Sequence, residues 1–243
     1  MMTRCLAALL GLMPCFSSNA SETLRFLVGT NWAAPYGEFK GERLVGGILF
    51  DLALALSQAT GRVIEQVPLP RRRQEDQSIK GAVDIRCYFA PSWSKNPNAY
   101  VWSPPLFDIS DVLVRHVSAP PVKSLSEVPE QAVIGTVLGY SYSEVDPYFK
   151  SGRLRREDAL DQSKLLMKVS AGRNSYGVSN QLAMHWFMRR TADHQLAPET
   201  VAVADYGFHC AIPKLGAVPA SEILNALERL SKDGTIKAIL SKY

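Results

Sequence analysis

The sequence has few histidines and no motif typical of a bound metal or nucleotide. Its four histidines, at positions 116, 185, 194 and 209, lack the spacing of a metal site, and no glycine-rich phosphate loop is present. Neither a repeat of fixed period nor a low-complexity segment occurs. We therefore expect a globular chain that uses no cofactor and no metal.

A strong charge of one sign is also lacking. The 27 basic and 23 acidic side chains leave a formal net charge of +4, and residues 71–73 (RRR) form the only dense basic cluster. Binding of nucleic acid requires a broader basic stripe or a recognisable motif. We therefore expect no nucleic-acid partner.

The N-terminal apolar run is too short to cross a membrane. Arg4 precedes CLAALLGLMPCF, and small residues follow, with Ser18 and Ala20 at the −3 and −1 positions of a cleavage site. A transmembrane helix needs about 20 apolar residues. We predict that residues 1–20 are a cleaved signal peptide and that the mature chain is periplasmic. A buried N-terminal helix is the alternative.

Strand and helix patterns alternate along the chain. TLRFLVG, RVIEQVP and VDIRCYF are typical of strands, and GILFDLALALSQATG is typical of an amphipathic helix that ends at Gly61. Strands that alternate with helices at these lengths indicate βαβ units and a mostly parallel sheet. The predicted fold class is therefore α/β.

The same alternation continues in the second half. AVIGTV and SYGVS are typical of strands, and ALDQSKLLMKVSAGR and NQLAMHWFMRR of helices. Ser124, with Glu127 three residues later, resembles a capping box. RRRQEDQSIKG is either a short polar helix or a turn.

Two extended crossings divide the chain into two lobes. Pro104 and Pro105 hold one segment extended before the strand DISDVLVR, and VAVADYGFHCAIP forms the return. We place the crossings near 105–110 and 204–207. They predict a discontinuous first lobe, 21–107 plus 207–243, and a second lobe, 108–206.

Five segments in order resemble one protein family. They are TLRFLVGTNWAAPYGEF, RLVGGILFDLALALSQATG, GAVDIRCYF, VWSPPLFDISDVLVR and ILNALERLSKDGTIKAILSKY. Together they resemble the bacterial extracellular solute-binding proteins of family 3, the periplasmic receptors for polar amino acids and related solutes. The resemblance covers nearly the whole mature chain. It implies the type II periplasmic-binding-protein-like fold, with two mostly parallel sheets, one returning strand and a cleft between two lobes.

Loops at the carboxyl ends of the strands predict the binding site, because ligands of open α/β sheets bind there. In the first lobe these loops carry Trp32, Tyr36, Arg73, Tyr88, Trp93 and Lys95. In the second lobe they carry Tyr140, Ser141 and Ser175, and the return crossing carries Asp205. We expect these ten residues to bind the ligand.

Some members of this set have alternative roles. Trp32 and Tyr36 flank a proline and suit an apolar or cationic part of a ligand, or they pack beside the hinge. Arg73 lies where family members carry a cleft-facing arginine, whose fork suits a carboxylate. A solvated helix start is the alternative for Arg73, and Arg71 and Arg72 rank below it.

The chain departs from the family's amino-acid pattern at two positions. Where the family has an arginine for the carboxylate of the ligand, this chain has Lys95 or Asn96. Where the family has an aspartate for the ammonium group, this chain has Ser175, with Asn180 further on. A charge buried without its partner costs several kcal/mol. The expected ligand is therefore a small polar solute, amino-acid-like or carboxylate-bearing, without a more specific name.

The resemblance implies a receptor rather than an enzyme. It implies a monomer that closes on its solute and delivers it to an ABC-type membrane permease. The rival is a periplasmic enzyme on the same scaffold, similar to cyclohexadienyl dehydratases, with Asp205, Glu38 and Glu144 as candidate cleft acids. The strings SWSK and GYSYS approach hydrolase motifs but lack, respectively, a K-T-G partner and the final glycine.

The resemblance also implies a disulfide. Cys5 and Cys15 leave with the signal peptide, and Cys87 and Cys210 remain in an exported chain. In the family's topology the returning strand inserts beside the third strand and runs antiparallel to it, which places these two cysteines on adjacent strands. We predict a Cys87–Cys210 bridge, with two buried free thiols as the alternative.

Overall fold

The computed structural model describes residues 23–243. The predicted signal peptide lies outside the described residues. The strands are β1 (Thr23–Gly29), β2 (Glu38–Lys40), β3 (Arg43–Gly46), β4 (Val63–Leu69), β5 (Arg86–Phe89), β6 (Tyr100–Trp102), β7 (Phe107–Arg115), β8 (Val133–Val137), β9 (Arg155–Ala159), β10 (Tyr176–Asn180) and β11 (Val201–Pro213). The α-helices are α1 (Ile48–Thr60), α2 (Arg71–Ile79), α3 (Asp146–Lys150), α4 (Gln162–Ser170), α5 (Gln181–Arg190), α6 (Ala220–Lys232) and α7 (Thr235–Leu240).

The first lobe is built on parallel pairing between β1 and β4, from Thr23 opposite Val63 to the strand ends. A bridge between Phe26 and Ile85 joins β1 to the segment that leads into β5. Helix α1 buries its apolar face on this layer and packs against α6 and α7. It ends at Gly61, whose left-handed backbone is favourable for glycine, as the sequence predicts.

The second lobe is a sheet in which β10 pairs with β7 antiparallel and with β8 parallel, and β8 continues parallel to β9. The predicted helix start at Ala159 is wrong, because Ala159 is the last residue of β9. Asp161 accepts a hydrogen bond from the Lys164 backbone N–H at 2.8 Å and caps α4, which therefore begins at Gln162.

The two crossing strands, β7 and β11, pair with each other. Their antiparallel register places Ser110 opposite Asp205 and Ile109 opposite Tyr206. Beyond the crossing, β11 continues into the first lobe and pairs with β5 and β6. The crossings are thus one hydrogen-bonded ribbon, and the predicted lobe boundaries fall within it.

The predicted disulfide is confirmed. Cys87 in β5 and Cys210 in β11 are register partners on antiparallel strands and are joined by a disulfide bond. Both are buried in the core of the first lobe. The bridge fixes the returning strand to the lobe that it re-enters.

The capping-box prediction is wrong. Ser124 Oγ shares a hydrogen bond with Ser126 Oγ, and the Glu127 carboxylate accepts from the Lys123 backbone N–H. The segment Leu125–Glu127 is one 3₁₀ turn, too short for the reciprocal bonds of a capping box.

Within residues 23–243, no helix has the length and apolar character needed to span a membrane.

Candidate ligand-binding site

A narrow cavity lies between the two lobes and offers about 40 Å³ to the centres of water-sized molecules. It is called the inner cavity here. Five of the ten predicted ligand residues line it, and four unpredicted residues complete the lining. The lining residues are Asn31, Trp32, Arg71, Gln74, Tyr88, Trp93, Asp111, Tyr140 and Ser141.

Tyr88 reaches the inner cavity because of a β-bulge. Phe89 is opposite His209 and Cys87 is opposite Cys210, so Tyr88 is the extra residue on β5. Its φ of 56° lies in the left-handed region, which costs a non-glycine residue about 1–3 kcal/mol. A bulge re-aims the side chain of its extra residue, and here it directs the ring into the cavity.

Aromatic rings form one wall of the cavity. The Tyr36 ring stacks on the Tyr88 ring with centroids 4.1 Å apart, and the edge of Trp93 meets Tyr88 at 6.1 Å. Trp93 also contacts Tyr206 on the return crossing, at 5.0 Å between centroids. These contacts fix an aromatic surface on the cavity wall, which suits an apolar or cationic group of a solute.

Arg71 is the arginine of the RRR run that lines the inner cavity. It opens α2 directly after Pro70, and its guanidinium lies 5.6 Å from the centre of the Tyr140 ring in the other lobe. Gly139 has a φ of 77°, and a side chain there would meet Arg71 Cγ at 3.1 Å. Arg71 forms no ion pair with any residue in the described part of the chain. A cation without a protein partner is therefore available to an anionic group of a ligand.

A buried polar chain lies behind Arg71. The Arg86 guanidinium donates to Gln74 Oε1 at 3.2 Å, and Gln74 Nε2 donates to the Leu69 carbonyl at 3.1 Å and towards Asn31 Oδ1 at 3.4 Å. Arg86 is 1% exposed, and burial together with the positive charge of Arg71 lowers its pKa to about 10. Arg86 Nη1 and Asn31 Nδ2 are buried donors without a partner among the described residues.

Asp111 is the carboxylate of the inner cavity. It lies on β7 between β10 and β11, and its side chain accepts no hydrogen bond from the residues of the range 23–243. Burial and the nearby charge of Asp205 raise the pKa of Asp111 to about 7. A cationic group of a ligand would therefore stabilise the ionised form of Asp111.

Glu75 holds the loop that carries Trp93. Its Oε1 accepts hydrogen bonds from Ser94 Oγ at 2.8 Å and from the backbone N–H groups of Lys95 at 2.8 Å and Asn96 at 3.0 Å. Because Glu75 and Arg71 belong to the same helix, α2 couples the position of Trp93 to that of Arg71.

The other five predicted ligand residues do not line the inner cavity. Tyr36 lies behind Tyr88, and Arg73 is exposed on an adjoining, more open cleft. Lys95 is exposed, and Asp205 is exposed with a 2.6 Å bond from Ser110 Oγ. Ser175 is exposed just before the first residue of β10, at the strand end opposite to Asn180 and the cavity.

The described residues contain no group of three or more histidine, cysteine, aspartate or glutamate side chains placed to hold a metal ion.

The chain is similar to known proteins in its structure and not at the level of a sequence family. No family model matches the chain, and no curated protein sequence matches it. An ancestral arginine-binding protein bound to arginine superposes with a TM-score of 0.75 at 20% identity, over 91% of this chain and 97% of that one. The arginine-, lysine-, histidine-binding protein ArtJ of Geobacillus stearothermophilus gives 0.71 at 14% identity, over 91% and 95%.

A third solved structure is similar to the same degree. The ancestral amino-acid-binding protein AncCDT-1, a precursor of cyclohexadienyl dehydratase, gives a TM-score of 0.73 at 19% identity, over 91% of this chain and 94% of that one. At these identities the likeness shows the fold alone. The chain has the two-lobed α/β fold of periplasmic binding proteins, as the sequence predicts.

Proposed function

We propose that this chain is a periplasmic solute-binding receptor that closes its two lobes on a small polar solute. The observation that carries the proposal is that Arg71 and Asp111 line one interlobe cavity and have no ion-pair partner among residues 23–243. Opposite charges on two walls of one cavity suit a zwitterion. We assign the anionic group of the solute to Arg71 and its cationic group to Asp111.

The aromatic wall supports an amino-acid-like solute of limited size. Tyr88, Trp93 and Trp32 supply apolar surface next to the two charges. Tyr88 and Trp93 are held by ring contacts, so little conformational freedom is lost when a solute binds. Solved structures with this fold include proteins bound to amino acids, which is consistent with this ligand class.

Closure by hinge motion explains why the site is shared between lobes. Arg71 comes from α2 of the first lobe, whereas Tyr140 and Ser141 come from the loop after β8 in the second. A solute that contacts both walls stabilises the closed arrangement by its differential affinity for it. A closed receptor is the form that we propose an ABC-type permease receives.

An enzyme is the second candidate, and Asp111 is the observation that favours it. A carboxyl group with a pKa of about 7 that lines an interlobe cavity has the properties of a general acid or base. AncCDT-1 is described as a precursor of cyclohexadienyl dehydratase. A receptor returns its solute unchanged, so product analysis after overnight incubation separates the two functions.

The receptor proposal is tested by a thermal-shift panel of amino acids, opines, polyamines, small carboxylates and aromatic acids. A solute that binds only the folded state adds about 2.7 kcal/mol of stability at a hundredfold excess over Kd. We expect at least one clear positive shift that the double variant Arg71→Gln/Asp111→Asn lacks. Flat curves across the panel would count against a polar-solute receptor.

A further inference from the structure

A second, open cleft adjoins the inner cavity and offers about 470 Å³ to the centres of water-sized molecules. Asn31 and Arg71 line both spaces. It is called the outer cleft here. The first three residues of α2 lie on one side, and Leu138, Gly139 and the Leu160–Lys164 segment lie on the other. The inner cavity and the outer cleft therefore meet at Asn31 and Arg71.

The charge of the outer cleft is strongly one-sided. Arg71, Arg72, Arg73 and Lys164 line it, against the single carboxylate of Asp161. That carboxylate already has a partner, since Lys164 Nζ contacts Asp161 Oδ2 at 2.7 Å. The three arginines form no ion pair with another residue of the described chain. Unpaired cations that converge on one cleft create a positive potential that attracts anionic groups.

The outer cleft also has apolar surface. Leu138 is 39% exposed and Leu160 is 62% exposed, and both line the cleft opposite the arginines. Large apolar side chains exposed beside guanidinium groups suit a methylene chain that ends in an anion. The inner cavity alone is too narrow to hold such a chain together with its zwitterionic head.

We propose that the outer cleft is a second subsite, which binds a distal anionic group of an extended solute. The solute class is a zwitterionic head joined by a short apolar linker to a further carboxylate. Arg72 and Arg73 contact the distal carboxylate, and Lys164 adds to the potential from the other lobe. This inference rests on the proposed receptor function and deepens it by naming the solute class.

The test compares two matched pairs of probes that differ in the distal group alone. One pair is γ-glutamylglycine and γ-glutamylglycinamide, and the other is Nε-succinyl-lysine and its terminal amide. Calorimetric titration at 20 mM salt measures each Kd. We expect the carboxylate member of at least one pair to bind about tenfold more tightly than its amide, with the advantage shrinking at 500 mM salt because exposed charges are screened.

The variant Arg72→Gln/Arg73→Gln/Lys164→Gln should reduce that preference to about twofold or less and leave the Kd of the amide unchanged. Its matched control is Lys40→Gln/Lys150→Gln/Lys214→Gln, which removes the same charge from exposed positions elsewhere. The control should retain the preference. Retention of the preference in the outer-cleft variant would overturn the assignment of these three residues.

Failure of this inference is distinguishable from failure of the receptor proposal. If a compact amino acid binds and both pairs show equal Kd values or no binding, the outer subsite is refuted and the receptor stands. If neither compact nor extended solutes bind, both proposals fail.

Discussion

The Tyr36 hydroxyl donates a buried 2.7 Å hydrogen bond to Asn180 Oδ1, which joins the loop after β1 to the carboxyl end of β10 in the other lobe. Asn180 also accepts from the Leu182 backbone N–H and donates to the Ser110 carbonyl on the crossing strand. Because the Tyr36 ring supports Tyr88, this bond ties the aromatic wall of the cavity to the second lobe.

We expect Tyr36→Phe to lower the free energy of unfolding by about 1 kcal/mol, the typical net value of one buried hydrogen bond. Phenylalanine retains the stacked ring, so the change in the free energy of unfolding reports the hydroxyl alone. Urea denaturation measures this change. Tyr206→Phe is the control, because the contact of the Tyr206 hydroxyl with Ser143 is longer, at 3.4 Å, and exposed. An equal loss in both variants would contradict a specific role for the Tyr36–Asn180 bond.

The stability of the ligand-free protein should fall as pH rises from about 4 to 7, owing to Asp111. Its folded pKa is raised to about 7, so the native state retains a proton that the unfolded chain has released. Asp111→Asn removes this penalty and should stabilise the protein by up to about 4 kcal/mol at pH 8, the equivalent of a shift from 3.8 to about 7, and by little at pH 4.5. Thermal denaturation at the two pH values is the measurement, with the exposed Asp108→Asn as control.

Binding of a cationic group to Asp111 should show the opposite pH dependence. The cation favours the ionised carboxylate, so affinity should rise with pH up to about 7 and then level off. Calorimetry in buffers of different ionisation enthalpy should detect proton release at pH 6.5. Uptake of a proton, or no exchange, would show that the cation does not contact Asp111.

Removal of the Glu75 carboxylate should loosen the loop that positions Trp93. Glu75→Ala deletes three hydrogen bonds to that loop, so hydrogen exchange of the Lys95 and Asn96 amides should accelerate. We expect solute affinity to fall about fivefold, equivalent to ~1 kcal/mol. Asp76→Ala is the matched control on the same helix, where the carboxylate contacts Lys80 and not the loop.

Loss of the disulfide should destabilise the chain without removing its fold class. The bridge closes a sequence separation of 123 residues, for which the chain-entropy model gives about 4–5 kcal/mol as an upper value. The Cys87→Ser/Cys210→Ser variant should therefore unfold at markedly lower urea concentration. Thiol counting on denatured, unreduced protein should find neither cysteine reactive; two reactive thiols would refute the bridge.

Features set by local pattern were predictable from the sequence. The apolar periodicity of α1 and the glycine that ends it define a helix without reference to the rest of the fold. The Cys87–Cys210 pairing follows from the order of strands, which the family resemblance supplies. The helix depends on local periodicity alone, and the disulfide depends on strand order alone.

Which of Arg71 and Arg73 lines the inner cavity depends on where helix α2 begins. Successive α-helical residues are rotated by about 100°, so side chains two positions apart point in different directions. With α2 beginning at Arg71, the Arg71 side chain lines both the inner cavity and the outer cleft, whereas Arg73 lines the outer cleft and not the inner cavity. Because the sequence predicts either a helix or a turn here, it does not fix the direction of either side chain.

Asp111 and the orientation of Tyr88 depend on strand pairing. Asp111 directly precedes the buried apolar run Val112–Val114 on the crossing strand β7, and a carboxylate at the edge of such a run is the signal that identifies it. The bulge at Tyr88 exists only through the register between β5 and β11, which a single sequence does not encode locally. The predicted aromatic residues Tyr36, Tyr88 and Trp93 nevertheless contact one another in the aromatic wall of the inner cavity.

We propose that a small polar solute binds between the lobes at Arg71. The most direct test is calorimetric titration of the solute that gives the largest thermal shift into wild-type protein, Arg71→Gln and the exposed control Arg43→Gln. We predict one site per chain, at least a tenfold weaker Kd in Arg71→Gln because a charged, two-donor contact is lost, and no change in Arg43→Gln. Equal affinity in all three proteins would contradict the account.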